Sequence, residues 1–398
     1  MTTKRQIPVV DLFAGPGGLG EGFSALEVNN QRVFRSALSI EKEASAHKTL
    51  RLRSFFRLFP RRAVPDEYYR MLRGEISLED LYNAYPCQAE QADEEAWHAE
   101  LGASTVDEVR RRIDAALGDA DPWVLLGGPP CQPFSLAGRS RNLRGTRYSG
   151  KKETRHQLYV EYLQIIADFW PAVFVMENVR GLLSAKFNGE RMFDRIAEDL
   201  HDPASAIFRV PGRGRLKLKG KYSYHLYPIA PRSGNGGNGL FGDLEDLHDY
   251  LVCCERHGIP QARHRVILLG VRDDIDLKPD LLPVQDNIPA QCVLTGLPRL
   301  RSGLSRDDDA SAWRKFIKEA VQEPWFKQLQ IDDPKTCRFI KEAVRNLINA
   351  DHDRGGNFVA GQVTVDHAPD WFLADERLGG VCNHHARGHM PSDLHRYL

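Results

Sequence analysis

"IPVVDLFAGPGGLGEGF", residues 7–23, changes character halfway along. Its first half is a short apolar run of strand type ending at Asp11-Leu12-Phe13, and its second half is a glycine-rich turn that passes straight into a helix-compatible pattern. Gly15-x-Gly17-x-x-Gly20 has the spacing that lets a backbone come close to a ligand at a helix start. Residues 33–41, "VFRSALSIE", read as the next strand and end in Glu41, near the distance at which an acidic residue grips ribose hydroxyls. These features fit any adenosine-containing cofactor and do not choose among them.

Working outward, residues 122–126 form another strand and "PAVFVMENV" (171–179) a buried one, with the helical pattern "QLYVEYLQIIADFW" between them. "DYLVCCERHGIPQARHRVILLGVR" (249–272) reads as two strands around a Gly-Pro turn. Strands alternating with helices predict an α/β fold with a mainly parallel sheet, and such sheets bind ligands at the carboxyl ends of their strands. A helical insertion outside the sheet's core is expected at about 51–120, and a domain boundary near 275 divides a catalytic domain (1–275) from a smaller one (276–398). "RSGNGGNGLFGD" (232–243) reads as a flexible loop.

The chain has 398 residues, 42% of them hydrophobic and 27% charged, an ordinary balance for a soluble globular protein. No apolar run approaches the roughly 20 residues of a membrane helix, and the N-terminus lacks a signal-peptide pattern, so the reading is cytoplasmic with no membrane partner. Seven scattered cysteines read as thiols in a reducing compartment, and the adjacent Cys253 and Cys254 as core residues of a short strand. Net charge is zero, yet 51–62, 137–152 and 211–225 are basic and acidic stretches balance them, a segregation compatible with a phosphate-binding surface.

"GGPPCQPFS" (127–135) follows the strand at 122–126. Its prolines remove backbone donors and stiffen the turn, and a thiol held rigidly at an open strand end, Cys131, suits a nucleophile. Glu177 ends the strand that topology places beside it, with Asn178 next. Gln261, Arg263 and Arg265 alternate, so an extended segment carries all three on one face, suited to a phosphate and a carbonyl oxygen.

"DLFAGPGGLGEGF", "GGPPCQPFS", "MENV" and "GIPQARHRV" resemble, in order and approximate spacing, the motifs of the DNA (cytosine-5)-methyltransferases over about residues 7–272. The resemblance implies a Rossmann-like methyltransferase fold with a mixed, mainly parallel sheet whose last strand is antiparallel, and S-adenosyl-L-methionine as cofactor. It implies double-stranded DNA as substrate, base flipping, and a cognate restriction endonuclease as functional partner in a restriction–modification system. By this resemblance Cys131 supplies the thiolate, Glu177 holds the base, Arg265 and Arg263 contact its O2 and backbone, and Gln132 and Asn178 complete the catalytic set. Phe13, Gly15, Gly17, Gly18, Leu19, Glu41, Pro130 and Leu158 are the implied cofactor contacts. Ser135, Arg139, Arg141 and Gln261 face DNA, the first three from the loop after the cysteine. The adenine contact of the third strand falls at "AELGAST" (99–105), where no Asp-Ile pair is present.

The sequence departs from the family pattern at its C-terminal end, where an arginine- and leucine-rich region and a "GN-[AS]-V" stretch are expected and neither is found. The second domain therefore reads as a partial target-recognition domain, with a complementing C-terminal polypeptide as a candidate partner. A truncated or split methyltransferase inactive alone and an RNA cytosine-5 methyltransferase are the alternatives, and an NAD-dependent oxidoreductase leaves the PPCQ, ENV and QxRxR elements unexplained. "CNHHARGH" (382–389) fits no established zinc spacing, so no metal ligand is expected.

Overall fold

The computed structural model describes residues 6–60, 63–102, 105–129, 151–187, 190–210, 222–231, 247–349, 352–361 and 375–397. Pro130, Cys131, Gln132, Ser135, Arg139 and Arg141 lie outside them, as do most of the basic stretches at 137–152 and 211–225 and the loop at 232–243. Among the described residues no helix is long and apolar enough to cross a membrane.

The chain forms two compact units, Met1–Val64 with Tyr82–Ile288, and Pro65–Leu81 with Pro289–Leu398. This differs from the boundary expected near 275 and from two sequence-continuous domains. The reason lies in the insertion, which lends residues 65–81 to the second unit.

The first unit is built on one eight-stranded sheet. Its parallel strands are β1 (Ile7–Leu12), β2 (Phe34–Glu41), β3 (Ala96–His98), β4 (Val124–Gly127) and β5 (Val173–Val179). The order is β3-β2-β1-β4-β5, so the chain reverses its direction of travel between β1 and β4, which opens a crevice at the carboxyl ends there. Beyond β5 run three antiparallel strands. The long β8 (His264–Arg272) pairs with β5, and both β6 (Tyr224–Tyr227) and β7 (Leu251–Cys253) pair with the far edge of β8.

Helices α1 (Gly18–Ala25), α2 (Ala44–Arg57), α5 (Pro86–Glu95), α6 (Val106–Leu117) and α7 (Lys151–Phe169) cover the sheet. One face buries Val10, Leu12, Leu38, Ile40, Leu125, Phe174 and Met176, and the other buries Val9, Val124 and Leu126 under Leu19 and Phe23 of α1. The alternation along β1, Val9 to one face and Val10 to the other, is the two-residue period of a strand buried on both sides. The insertion was expected outside the sheet's core. Instead its end supplies β3, which pairs with Ser39–Glu41 at the sheet's edge. Cys253 ends a short strand, half-buried and packed against the main core, as expected, whereas Cys254 opens the turn that follows and is half-buried there.

In the second unit, helices over Ala310–Glu319, Pro324–Asp332 and Pro334–Asn349 pack Trp313, Ile317, Phe326, Ile340 and Val344 into a separate core. A two-stranded antiparallel ribbon, Gly355–Ala360 with Gly380–His385, completes it. The inserted helix α3 (Asp66–Leu72) belongs here: Tyr69 donates to Asp375 at 2.5 Å, and the Arg377 guanidinium stacks 4.3 Å over the Tyr69 ring. Asp308 is gripped by Arg301 at 2.9 and 3.1 Å and by Arg354 at 3.1 Å, which holds its carboxyl down at about 2.

Candidate active site

The carboxyl ends of β1 and β2 form one half of the crevice. Gly17 starts α1 with a φ of +87°, a backbone that side chains rarely adopt, and a Cβ there would meet Leu50 Cδ1 of α2 at 2.9 Å. That turn aims the Gly15 amide at Glu41, whose Oε2 accepts it at 2.8 Å while Oε1 accepts the Glu43 amide at 2.7 Å. Glu41 is only 9% exposed, and each oxygen keeps further acceptor capacity for a hydroxyl. Phe13, Ile40, Glu41, Lys42, Ala99, Leu101, Gly128 and Leu158 line a cavity of about 220 Å³. Apolar walls beside a carboxylate that can accept two hydroxyls fit the adenosine end of S-adenosylmethionine. A Cβ on Gly15 or Gly18 would meet nothing within 4 Å, so both face open space.

Four of the expected cofactor contacts, Phe13, Gly15, Glu41 and Leu158, thus meet at this cavity or at Glu41 itself. Leu19 does not, because its side chain packs on the opposite sheet face against the Val9, Val124 and Leu126 cluster. Ala99 and Leu101, from the stretch expected to follow the third strand, are brought against Glu41 by β3. A larger cavity of about 900 Å³ lies at the opposite, amino ends of β1 and β2, against Gln6, Phe34 and Arg35, far from the strand-end loops.

The ends of β4, β5 and β8 form the other half. Register explains the cluster: Arg265 pairs with Val179 and Ile267 with Glu177, so Glu177 and Arg265 share a sheet face as diagonal neighbours. Arg265 Nε stands 2.6 Å from Glu177 Oε1 and Arg263 Nη2 3.7 Å from it. Gln261 lies in the exposed turn before them, where tight i to i+2 hydrogen bonds at residues 259–263 replace the extended backbone expected for all three. The glycine pair of "GGPPC" meets two close approaches. A Cβ on Gly127 would stand 2.6 Å from the Tyr162 ring, and one on Gly128 would stand 3.3 Å from Glu177 Oε2. Asn178 is buried, donates to the Pro129 carbonyl at 3.4 Å and accepts the Val179 amide at 2.9 Å. It therefore anchors the point from which the chain enters Pro130-Cys131, and does not project into the crevice.

Sequence reasoning passed over Asp11. It is buried at the middle of the first unit, and burial lifts its carboxyl to about 7, with the Gly20 amide and Arg57 opposing. Arg57, itself buried, pairs with Glu21 at 3.0 Å and Glu95 at 2.5 Å. The signal was present in the sequence: an acid inside the apolar run "VVDLF".

Residues 95–203, from β3 to the start of α9 (Pro203–Phe208), match the family of C-5 cytosine-specific DNA methylases. The chain is 32% identical over 285 residues to the type II methyltransferase M.Bpa9945I of Bacillus paralicheniformis, covering 67% of this chain and 54% of that protein. It is 28% identical over 287 residues to a DNA-cytosine methyltransferase of Escherichia coli, covering 71% and 46%. The chain thus spans about half the length of these relatives. Among solved structures, the Entamoeba histolytica methyltransferase EhMeth aligns over 80% of this chain and 67% of its own, at 12% identity and a TM-score of 0.36. By its matched residues and its relatives, the chain belongs to the C-5 cytosine-specific DNA methylase family.

Proposed function

We propose that this protein transfers a methyl group from S-adenosyl-L-methionine to C5 of cytosine in double-stranded DNA, through a covalent bond between Cys131 and C6. The observation that carries the reading is Glu177, fixed by Arg265 one strand away from the Gly128–Pro129 entry to the Cys131 loop. The cofactor, when bound, supplies an electrophilic methyl. Glu41 would hold its ribose hydroxyls, with Phe13, Leu101 and Leu158 against the adenine side.

The remaining chemistry belongs to the chain. Cytosine C5 is a poor nucleophile until the Cys131 thiolate adds to C6 and turns the ring into an enamine. Glu177 holds the base edge at N3 and the exocyclic amine, while Arg265 and Arg263 orient that carboxylate and face the O2 side. Loss of the C5 proton and expulsion of the thiolate restore the aromatic ring after methylation. Reaching these groups requires the target base to leave the duplex, at a cost of a few kcal/mol. The second unit is the candidate target-recognition domain, and a restriction endonuclease acting at the same DNA site is the functional partner.

Duplex DNA carrying 5-fluorocytosine, incubated with the full chain and labelled cofactor, tests this. The fluorine blocks loss of the C5 substituent, so a labelled covalent adduct is expected, and Cys131→Ser should abolish it. An adduct that survives Cys131→Ser, or one that forms on tRNA alone, overturns the proposal.

A further inference from the structure

Three ligand-type side chains converge on the outer edge of the sheet, away from the crevice. Cys253 ends β7 and pairs across the ladder with His264, the first residue of β8, so their side chains share a face. The chain then turns through Cys254–His257, and Glu255 reaches back to His264 Nε2 at 2.6 Å. Cys253 Sγ, a carboxylate oxygen of Glu255 and a ring nitrogen of His264 all lie within 4.8 Å of one another. The second carboxylate oxygen of Glu255 is shielded from solvent and finds no hydrogen-bond partner in any other residue. His264 and Arg265 are adjacent in one strand, so this cluster faces away from Glu177 and takes no part in the base-side arrangement.

We propose that Cys253, Glu255 and His264 form a binding site for a divalent cation of the zinc type. A thiolate, an imidazole and a carboxylate are the donor set that borderline-soft divalent cations take, and calcium and magnesium do not. Tetrahedral donors on bonds of 2.0–2.3 Å stand about 3.5 Å apart, so no pair has to close by more than about 1 Å, and the His264–Glu255 pair must open by about 1 Å. Side-chain rotation supplies both without moving the strands. All three residues are half-buried, which leaves a fourth position to water or an exogenous ligand.

To ligate, Cys253 gives up its thiol proton, and His264 presents a ring nitrogen that carries none. The structural return is plain: β7 has only three residues, and a shared ion would clamp it to the end of β8 from which Arg265 projects.

The test uses the full chain, stripped with a chelator and titrated with cobalt(II). One cobalt per chain with a thiolate charge-transfer absorption is expected, displaced by one equivalent of zinc, lost in Cys253→Ser and kept in Cys254→Ser. Absence of the thiolate band, or a band that survives Cys253→Ser, overturns the proposal. Should Cys253→Ser fail to fold by circular dichroism, Glu255→Gln keeps a hydrogen-bonding partner for His264 and removes the charge. Zinc affinity at least about tenfold weaker is expected there, and an unchanged affinity overturns the site.

Discussion

Two glutamates stand at the ends of parallel strands in the same sheet, and they are held in opposite ways. Glu41, at the end of β2, is fixed by the backbone amides of Gly15 and Glu43. Glu177, near the end of β5, is fixed by guanidinium groups from β8 and the turn before it, at 2.6 and 3.7 Å. Amides from a tight turn give one acceptor geometry that no side-chain rotamer change can undo. Guanidinium groups give charge complementarity and several donors, but they sit on side chains that can reorient when a base arrives. Under the proposed function this contrast would give the two halves different work: Glu41 would suit a cofactor bound in one pose, and Glu177 a substrate that enters from DNA and must be released.

The largest effect expected from this contrast is on turnover. Glu177→Gln keeps the shape and loses the charge, so kcat should fall by about 10²–10⁴ while cofactor affinity changes less than about threefold. Methylation of duplex DNA under single-turnover conditions, with cofactor binding measured separately, checks both halves. A matching loss of cofactor affinity would erase the division of labour.

Glu41→Ala is the mirror experiment and should be milder. Hydrogen bonds to a charged acceptor contribute about 1.5–3 kcal/mol, so the cofactor dissociation constant should rise about 10–150-fold. Turnover at saturating cofactor should stay within a few-fold of the parent. Calorimetric titration with the cofactor or its demethylated product measures the first quantity directly.

The smallest effect concerns Asp11, which the electrostatics couple to Glu41. Its carboxyl is raised to about 7, so between about pH 4 and 7 the folded chain keeps a proton that the unfolded chain has lost. Stability from this group is therefore full at low pH, declines as pH rises through that window, and is lowest above 7. Asp11→Asn removes the decline. The melting temperature of the variant relative to the parent should rise by a few degrees between pH 5 and pH 8, on the scale of about 2–4 °C per kcal/mol. An equal difference at both pH values would mean that Asp11 is not the group responsible.

The elements legible in the sequence were those with a sharp boundary. β1, β2, β4, β5 and β8 are apolar runs cut off by glycine, an acid or a turn; the first four appear within a residue or two of their expected places, and β8 begins only at His264, after the turn that takes Gln261 and Arg263. β3 was not legible from its own residues, since "AWH" in an acidic, helix-rich stretch pairs along a single edge and lacks any apolar pattern; only the family resemblance, with its adenine contact at 99–105, pointed near it. β6, "YHLY", was missed for the same reason. The transfer of residues 65–81 to the second unit was also hidden, because it depends on the long-range pairing of Tyr69 with Asp375.

By itself the sequence determined the type of fold, and it singled out Glu41, Glu177, Arg263 and Arg265 as candidates at or beside strand ends, because motif order and local residue patterns are properties of the chain. Tertiary structure alone decided how those residues are held. That Arg265 closes on Glu177 follows from an antiparallel register that no local pattern encodes. Asn178 holds the Pro129 carbonyl, and Leu19 packs against the Val9, Val124 and Leu126 cluster, because burial is set by neighbours distant in sequence. The convergence of Cys253, Glu255 and His264 has the same origin: a three-residue strand and a single turn bring together side chains that the sequence shows only as an adjacent thiol pair and a histidine between arginines.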